Sequence, residues 1–325
     1  MVIYALLSGG QGSSVSLNDY TLFPAFENVA KHFNAGYIKK KMGDPSLELI
    51  EELPHIQEEV IFITNFNRHW TLSQYDMIKA KMPNSKIVWL GSDTHYEGVN
   101  NPPLIDDDSH DQFLAFNGLK NIEWPLDLYL DTMKNVSEEA SLRFKSDHFY
   151  WSISESIIDQ ILKCIPKMNI RRKERDGICL CSTENRSSIR HEMFRRIDEA
   201  GLTVLRNVNE HFLCQIAKLY AESWVALGTT VSCMASDMRS MKGFRDWLAP
   251  FCGTVLIYDD YPDITDIGDF IPIYEYGQWD QIKTIVDELK VDLDRYHTLI
   301  EQQREWALEN TLEKQFIRIF KEHLM

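Results

Sequence analysis

The sequence predicts an α/β protein made of two tandem domains, each a parallel sheet with helices on both faces. Short, almost continuous apolar runs alternate with segments whose apolar residues recur every three or four positions. Such runs are typical of buried parallel strands, and such stripes are typical of the helices that cover them. The alternation stops at a charged stretch and then restarts. Two doubly wound, Rossmann-like domains are therefore expected.

The first half supplies strands and helices in turn. One helix, over 20–33, carries Leu22, Phe26 and Val29 on one face. A helical pattern over 149–165 then runs into the polar stretch 167–177, which we interpret as a linker. Strands are predicted at 2–7, 60–63, 87–90 and 113–116, with a further helix at 75–82.

The second half repeats the pattern and ends in a long helical tail. The predicted strands are 178–181, 202–205, 224–227 and 254–258, and the predicted helices are 187–199, 210–221 and 243–250. After Gly277 the chain is mostly helical, which exceeds what one small sheet needs as cover. We therefore place the first domain at 1–166 and the second at 167–307. The last helix, about 308–325, is expected to cross back to the first domain.

Composition excludes several classes of protein. With 34 Lys and Arg against 49 Asp and Glu in 325 residues, the formal net charge of −15 argues against a chain that coats nucleic acid or anionic membrane. The stretch 163–196 is an exception, with ten basic residues against four acidic ones. No apolar run reaches the roughly 20 residues that span a bilayer, and we expect a cytoplasmic protein without membrane insertion. The six cysteines form neither a disulfide framework nor a zinc motif, so reduced thiols and no metal site are expected.

A glycine-rich loop follows the first predicted strand. Gly9, Gly10, Gly12 and Ser13 lie at the strand end where backbone N–H groups can hold a phosphate or an acceptor. The third glycine of a dinucleotide fingerprint is replaced by Val15, so NAD binding has little support. The loop also lacks the lysine of an ATP-binding P-loop. A simple flexible turn is the alternative interpretation.

A second candidate group follows the strand 87–90. Asp93 and His95 lie where a general base would meet a substrate beyond the sheet. The alternative is that Asp93 caps a turn and that His95 is an ordinary exposed histidine. The acidic triplet 106–108 follows a proline-rich stretch rather than a strand, which favours a solvated loop over a metal site.

Basic and hydroxyl side chains follow two strands of the second half. Arg186 and Arg190 lie where a strand leads into a helix, an arrangement that suits a phosphate, although helix capping explains the neighbouring hydroxyls equally well. Thr230 and Ser232 follow the next strand but one. The basic pair of Lys242 and Arg245 comes after them, and a diphosphate requires such converging positive charge.

The segment around this basic pair resembles a known family. The run 242–247, followed by Pro250 and 252–254, is similar to a signature of the spore-maturation-type and group 1 sugar-nucleotide glycosyltransferases. The resemblance extends over roughly 178–310. It implies the GT-B fold, with the acceptor mainly on the first domain and the nucleotide-sugar donor mainly on the second.

The resemblance also implies roles for individual residues. Lys242 and Arg245 would neutralise the donor diphosphate, and Thr230 and Ser232 would line its pocket. The acidic residue that the family places after the aromatic falls at Leu248, and Asp246 is the candidate substitute.

The activity implied is transfer of a hexose or pentose from a nucleotide sugar, a UDP-sugar first, without a metal or other cofactor. Asp93 would be the base if the enzyme inverts. The acceptor alternatives are a small molecule, a glycan, or a modified DNA base flipped from its duplex. A further alternative is a binding protein that has lost turnover, because Leu248 stands at the acidic position.

Overall fold

A computed structural model of the chain describes residues 1–8, 21–42, 50–65, 71–91, 122–132, 134–165, 173–179, 188–206, 213–228, 247–260 and 262–325. These residues form two compact units. Unit 1 combines the described residues between Met1 and Tyr150 with Leu312–Met325, and unit 2 contains those of Trp151–Thr311. The predicted strand at 113–116 lies outside the described residues.

Unit 1 contains a parallel sheet of six strands in the order β2-β1-β3-β4-β5-β6. The strands are β1 (Val2–Ser8), β2 (Gly36–Met42), β3 (Val60–Asn65), β4 (Ser85–Gly91), β5 (Leu128–Asp131) and β6 (Ser146–His148). The helices before Tyr150 are α1 (Leu22–His32), α2 (Leu72–Lys81) and α3 (Lys134–Ala140). The fold class predicted for the first half is confirmed.

Unit 2 contains a parallel sheet of five strands in the order β11-β10-β9-β7-β8. The strands are β7 (Arg175–Ile178), β8 (Val204–Leu205), β9 (Ser223–Leu227), β10 (Val255–Asp259) and β11 (Ile273–Tyr274). The helices are α4 (Glu155–Cys164), α5 (Ser188–Glu199), α6 (Leu213–Ala221), α7 (Leu248–Phe251), α8 (Pro262–Thr265), α9 (Gln281–Val291) and α10 (Leu293–Glu309). Helix α4 packs against α6 and α7, so it belongs to this unit although it precedes the expected linker.

The last helix, α11 (Leu312–His323), packs on α1 in unit 1, as the prediction of a returning C-terminus requires. The ring of Phe316 lies 4.7 Å from that of Phe26 and 5.3 Å from that of Phe149. All three rings are buried. Helix α11 therefore completes a buried aromatic cluster of unit 1.

The interpretation of 167–177 as a linker is wrong in its last part, because β7 begins at Arg175. The polar side chains of this strand have partners in its neighbourhood. Arg175 Nη1 lies 3.3 Å from Glu222 Oε2, and Asp176 Oδ2 accepts a 2.6 Å hydrogen bond from Thr203 N. Local polarity therefore hid a strand whose polar groups are satisfied by tertiary contacts.

A disulfide joins Cys164, at the end of α4, to Cys214, near the start of α6. The expectation that all cysteines are reduced thiols is wrong for this pair, because the packing of α4 on α6 brings two sulfurs together that lie 50 residues apart in sequence. Cys179 and Cys252 are free and buried. In the described part of the chain, no helix has both the length and the apolar composition needed to cross a bilayer.

Two glutamine side chains each bind both backbone groups of one residue, Leu256 in β10 and Tyr150 after β6. Gln303 of α10 binds both backbone groups of Leu256: Oε1 accepts from Leu256 N, and Nε2 donates to Leu256 O, each at 2.9 Å. Gln315 of α11 binds Tyr150 in the same way, at 2.8 and 3.1 Å. Nε2 of Gln303 also donates to Phe270 O.

Candidate functional site

Ligands of open parallel sheets bind beyond the carboxyl ends of the strands, and the predicted site residues follow such ends in the sequence. Arg190 lies in the first turn of α5. The other predicted site residues lie outside the described residues: Gly9, Gly10, Gly12, Ser13, Asp93, His95, Arg186, Thr230, Ser232, Lys242, Arg245 and Asp246. The structure does describe the two residues that flank the segment 229–246, which are Gly228 and Trp247.

The segment begins at Gly228, directly after β9. A Cβ atom at Gly228 would lie 1.9 Å from Cε2 of the buried Tyr258, so only glycine fits here. Gly228 N donates to Ile257 O at 2.9 Å, and Tyr274 Oη donates to Gly228 O at 3.3 Å. The starting point of the segment is therefore fixed to β10 and β11, the two strands that follow it in the chain.

The segment ends at Trp247, which precedes the single turn of α7. Trp247 is fully buried, and its ring stacks on that of Trp306 in α10, with 4.2 Å between centroids and 22° between planes. The four residues of α7 are also buried. The end point of the segment is therefore fixed by packing in the core of unit 2.

The carbonyl end of α7 and the turn after it are held by three polar side chains. Arg304 Nε donates to Pro250 O at 2.5 Å, Tyr296 Oη donates to Gly253 O at 2.9 Å, and Lys173 Nζ donates to Gly253 O at 2.6 Å. These interactions satisfy carbonyls that a helix end leaves without partners.

Burial changes the acid–base properties of two groups in this cluster. It lowers the pKa of Lys173 to about 8, because the charged ammonium loses solvation, although the neighbouring Cys252 opposes the shift. It raises the pKa of the Cys252 thiol to about 12, and the positive charges of Lys173 and Arg304 oppose that shift. The thiol is therefore protonated at neutral pH and has the character of a core residue.

Leu248 is buried, with 1% of its surface exposed, at the start of α7. A carboxylate at this position would be desolvated in an apolar core, which is costly. Leucine therefore suits the buried position 248, where the family that the segment resembles has an acidic residue.

The carboxyl ends of β10 and β11 bring further polar groups to the same edge of unit 2. Asp259 is fully buried, and Asp260 Oδ1 accepts a 2.7 Å hydrogen bond from Tyr276 N. Asp260 N donates to Tyr274 O at 2.9 Å.

In unit 1, the carboxyl edge includes two residues that sequence reasoning missed. Asp131 ends β5, is fully buried, and its Oδ2 accepts a 2.6 Å hydrogen bond from Tyr129 Oη. His148 ends β6 beside it, with Nε2 3.2 Å from Thr132 O. In the sheet, Asp131 pairs with Gly91 of β4, two positions before Asp93 in the chain. A short apolar run that ends in an acid, 128–131, is the signal that would have revealed it.

The basic stretch 163–196 offers little free charge among the side chains that the structure describes. Arg195 and Arg196 pair with Glu192, Arg175 pairs with Glu222, and Lys173 is committed to backbone carbonyls. Among the side chains that the structure describes in this stretch, three arginines are therefore paired with acids, and Lys173 is held by carbonyls.

One cluster of potential metal ligands lies in unit 1. Asp147, Glu322 and His323 place one ligand atom each within 4.8 Å of one another. His323 Nε2 lies 3.0 Å from Asp147 Oδ2, and Arg318 Nη1 lies 3.8 Å from the same oxygen. The guanidinium already supplies positive charge to the carboxylates, so we interpret the cluster as an ion-pair network that fastens α11 to β6.

No model of a protein family matches the sequence, and a search of curated proteins gives no match. Solved structures do match, and three of them align over at least 98% of the chain. A structure from E. coli described as trehalose-6-phosphate bound with UDP-2-fluoro glucose has a TM-score of 0.62 at 11% identity and covers 98% of each chain. A sucrose-phosphate synthase from Thermosynechococcus elongatus has a TM-score of 0.60 at 12% identity, with 99% of each chain covered.

A third similar structure is Alr3699/HepE from Anabaena in complex with UDP-glucose, with a TM-score of 0.56 at 11% identity; it covers 99% of this chain and 100% of that one. These neighbours are GT-B glycosyltransferases. The chain therefore has the GT-B fold: two parallel-sheet α/β units and a C-terminal helix that returns to the first. Identities this low show the fold alone.

Proposed function

We propose that the chain is a glycosyltransferase that moves a sugar from a nucleoside-diphosphate sugar, a UDP-sugar first, to an acceptor. Lys242 and Arg245 stabilise the departing diphosphate, with Thr230, Ser232, Arg186 and Arg190 around it and Asp246 in place of the acid absent at Leu248. Asp93, supported by His95, is the candidate base, and the loop of Gly9, Gly10, Gly12 and Ser13 contributes to phosphate or acceptor binding. The reaction uses no metal or cofactor.

The observation that carries the proposal is the GT-B fold over at least 98% of the chain, combined with a basic pair in the segment anchored by Gly228 and Trp247. The similar structures bound with UDP-2-fluoro glucose, UDP-glucose and UDP favour uridine as the donor base. Preorganised positive charge at a leaving diphosphate supplies catalysis through electrostatics, and a fixed backbone at both ends of the segment favours such preorganisation.

We propose a small molecule or a glycan as the acceptor rather than DNA. The DNA alternative depends on the basic stretch 163–196, and its described side chains are largely paired with acids or carbonyls. Duplex DNA is therefore expected to give no mobility shift even at low salt. A salt-sensitive shift would favour the flipped-base acceptor instead.

The test is a turnover screen with UDP-, GDP- and ADP-sugars, in which donor hydrolysis and product are followed by mass spectrometry. We expect UDP-sugar turnover to fall about a hundredfold in Lys242→Ala and in Arg245→Ala, because each loses a charged donor to the leaving group. Lys283→Ala is the matched control, since Lys283 forms an exposed ion pair with Asp287 on α9.

Unaltered turnover in both basic-pair variants would remove the proposed diphosphate site. Nucleotide-sugar binding by calorimetry without any product would instead identify a binding protein with a GT-B fold. The first outcome would contradict the diphosphate site, and the second would contradict the catalytic activity.

A further inference from the structure

The last turn of α4 buries one side chain. The residues that α4 buries are Ile157, Ile158, Ile161 and Cys164. Between the last two of these, Leu162 is 52% exposed and Lys163 is exposed as well. Apolar packing therefore holds the earlier part of the helix, whereas the last turn is held at Cys164, which is bonded to Cys214 of α6.

The two cysteines of this disulfide differ in their access to solvent. Cys214 is exposed, whereas only 7% of the surface of Cys164 is exposed. Reduction begins when a thiolate attacks one of the two sulfurs, so access decides where it starts. Exposed disulfides are the ones that exchange readily. Cys214 is therefore the residue at which an external thiol can open the bond.

The surroundings of the bond allow it to form again after reduction. The three buried isoleucines of α4 and the packing of this helix on α6 and α7 do not depend on the disulfide. The Cα atoms of Cys164 and Cys214 lie 5.4 Å apart, within the range that a disulfide spans without movement of the backbone. Both thiols thus stay within reach of each other in the folded chain.

We propose that the disulfide between Cys164 and Cys214 is a reversible redox switch that releases the last turn of α4 from α6 when it is reduced. The earlier part of α4 stays docked in both states. Helix ends fray when they lack tertiary contacts, and the last turn loses its covalent attachment on reduction. The switch does not depend on the proposed sugar transfer.

Two molecules of a thiol such as glutathione supply the two electrons. The first thiolate attacks Sγ of Cys214, forms a mixed disulfide and displaces Cys164 as a thiolate. The second thiolate attacks the glutathione sulfur of the mixed disulfide and displaces Cys214, so that oxidised glutathione leaves. The two cysteine thiolates take up the two protons that the attacking thiols released. Exchange with oxidised glutathione reverses both steps.

The first test follows the thiols in the folded full chain. The chain is equilibrated with reduced or oxidised glutathione, alkylated without denaturant and mapped by mass spectrometry. We expect Cys164 and Cys214 to be alkylated after reduction, and to be bonded again after return to oxidised glutathione. Cys252 is free and buried, so it is the internal reporter of global unfolding. Cys164 should be alkylated at least about tenfold faster than Cys252, because opening one turn costs less free energy than unfolding the chain.

The second test measures hydrogen exchange in α4. Reduction should raise exchange in peptides that cover 160–165 and leave 155–159 unchanged. The double variant Cys164→Ser with Cys214→Ser is the control, because it has no bond to reduce. Its exchange in 160–165 should match that of the reduced chain in both glutathione buffers.

Three results would overturn the switch. A bond that resists reduced glutathione until Cys252 is also alkylated would be a permanent crosslink. Alkylation of Cys214 alone, with unchanged exchange in 160–165, would show that reduction does not release the last turn. Free thiols at both positions in oxidised glutathione would show that the bond does not form again.

Discussion

Gln303 and Gln315 perform the same task in the two units, but in different surroundings. Each presents its amide to the N–H and the C=O of one backbone residue. Gln303 is completely buried and serves Leu256 inside the sheet of unit 2, where β11 pairs with β10 only at Tyr258 and Asp259. Gln315 serves Tyr150, a half-buried residue after the last strand of unit 1.

The comparison shows that the cost of losing a hydrogen bond depends on the access of water. Inside the sheet, the backbone groups of Leu256 have no alternative partner once Gln303 is removed. Gln315 is also buried, at 6% exposure, but its hydrogen bonds to Tyr150 are only part-buried, so we expect water to replace the amide more readily there. Helix α10 thus supplies hydrogen bonds to the sheet of unit 2, whereas α11 uses Gln315 mainly to hold itself against unit 1.

The largest effect is expected for Gln303→Leu. It leaves the N–H and C=O groups of Leu256 without a buried partner, and removes the amide bond to Phe270 O, so we expect a loss of about 3–5 kcal/mol in the free energy of unfolding. Urea unfolding, with hydrogen exchange of peptides from β10, checks this. A loss below about 1 kcal/mol would show that water reaches Leu256 and would remove the contrast between the two glutamines.

The disulfide tests whether unit 2 is also stabilised covalently. Replacing Cys164 and Cys214 together by serine is expected to lower the free energy of unfolding by about 2–4 kcal/mol without reductant, since the bond closes a loop of 50 residues. In dithiothreitol the variant and the unmodified chain should become nearly equal. Equality without reductant would mean that the two thiols are not bonded in solution. Hydrogen exchange in α4 and α6, compared with α1 in unit 1, assigns the effect to unit 2.

Lys173 predicts a pH dependence that belongs to unit 2. Its folded pKa of about 8 lies below the ordinary value of 10.5, so between these values the unfolded chain binds more protons and stability rises with pH. We expect this to contribute about 3 kcal/mol over that window. Lys173→Met removes the rise.

The pH effect is measured as the difference in unfolding free energy between the unmodified chain and Lys173→Met from pH 7 to 10.5. Taking the difference cancels most of the opposing contribution of Cys252, whose raised pKa of about 12 lowers stability above pH 9. A difference that stays constant across the window would contradict a lowered pKa at Lys173.

The smallest effect is expected for Gln315→Leu. Because the hydrogen bonds of Gln315 to Tyr150 are only part-buried, we expect water to replace them in part, and the expected loss is about 1–2 kcal/mol. Hydrogen exchange should increase around Tyr150 and α11 and stay unchanged in β10. A loss as large as that of Gln303→Leu would show that the two sites are energetically equivalent.

The sequence predicted the central strands well because a strand buried on both faces must be apolar throughout. Residues Val60–Asn65 and Val255–Asp259 show this pattern. The same apolar pattern could not reveal β2, which carries Lys39, Lys40 and Lys41. This strand lies at the edge of the sheet, where side chains are exposed and charges discourage pairing with a further strand. Strands of two residues, such as β8 and β11, are too short for a periodic signal.

For the candidate site, motif reasoning identified residue types but not what anchors them. Gly228 depends on Tyr258, and Trp247 depends on Trp306, 59 positions later. Contacts of this kind are set by the topology of the sheet and the path of α10, which no local pattern records. The run 128–131 could have identified Asp131 as the end of a strand, but its place beside Gly91 follows from strand order alone.

The return of α11 to unit 1 has a consequence for the order of folding during synthesis. Ribosomes make the residues of Trp151–Thr311, which form unit 2, before Phe316 and its helix exist. Until Leu312–Met325 emerges, Phe26 and Phe149 lack their aromatic partner, so the nascent first unit presents an apolar surface to the cell. An apolar surface in the earliest part of the chain is thus covered only after all of unit 2 has been made.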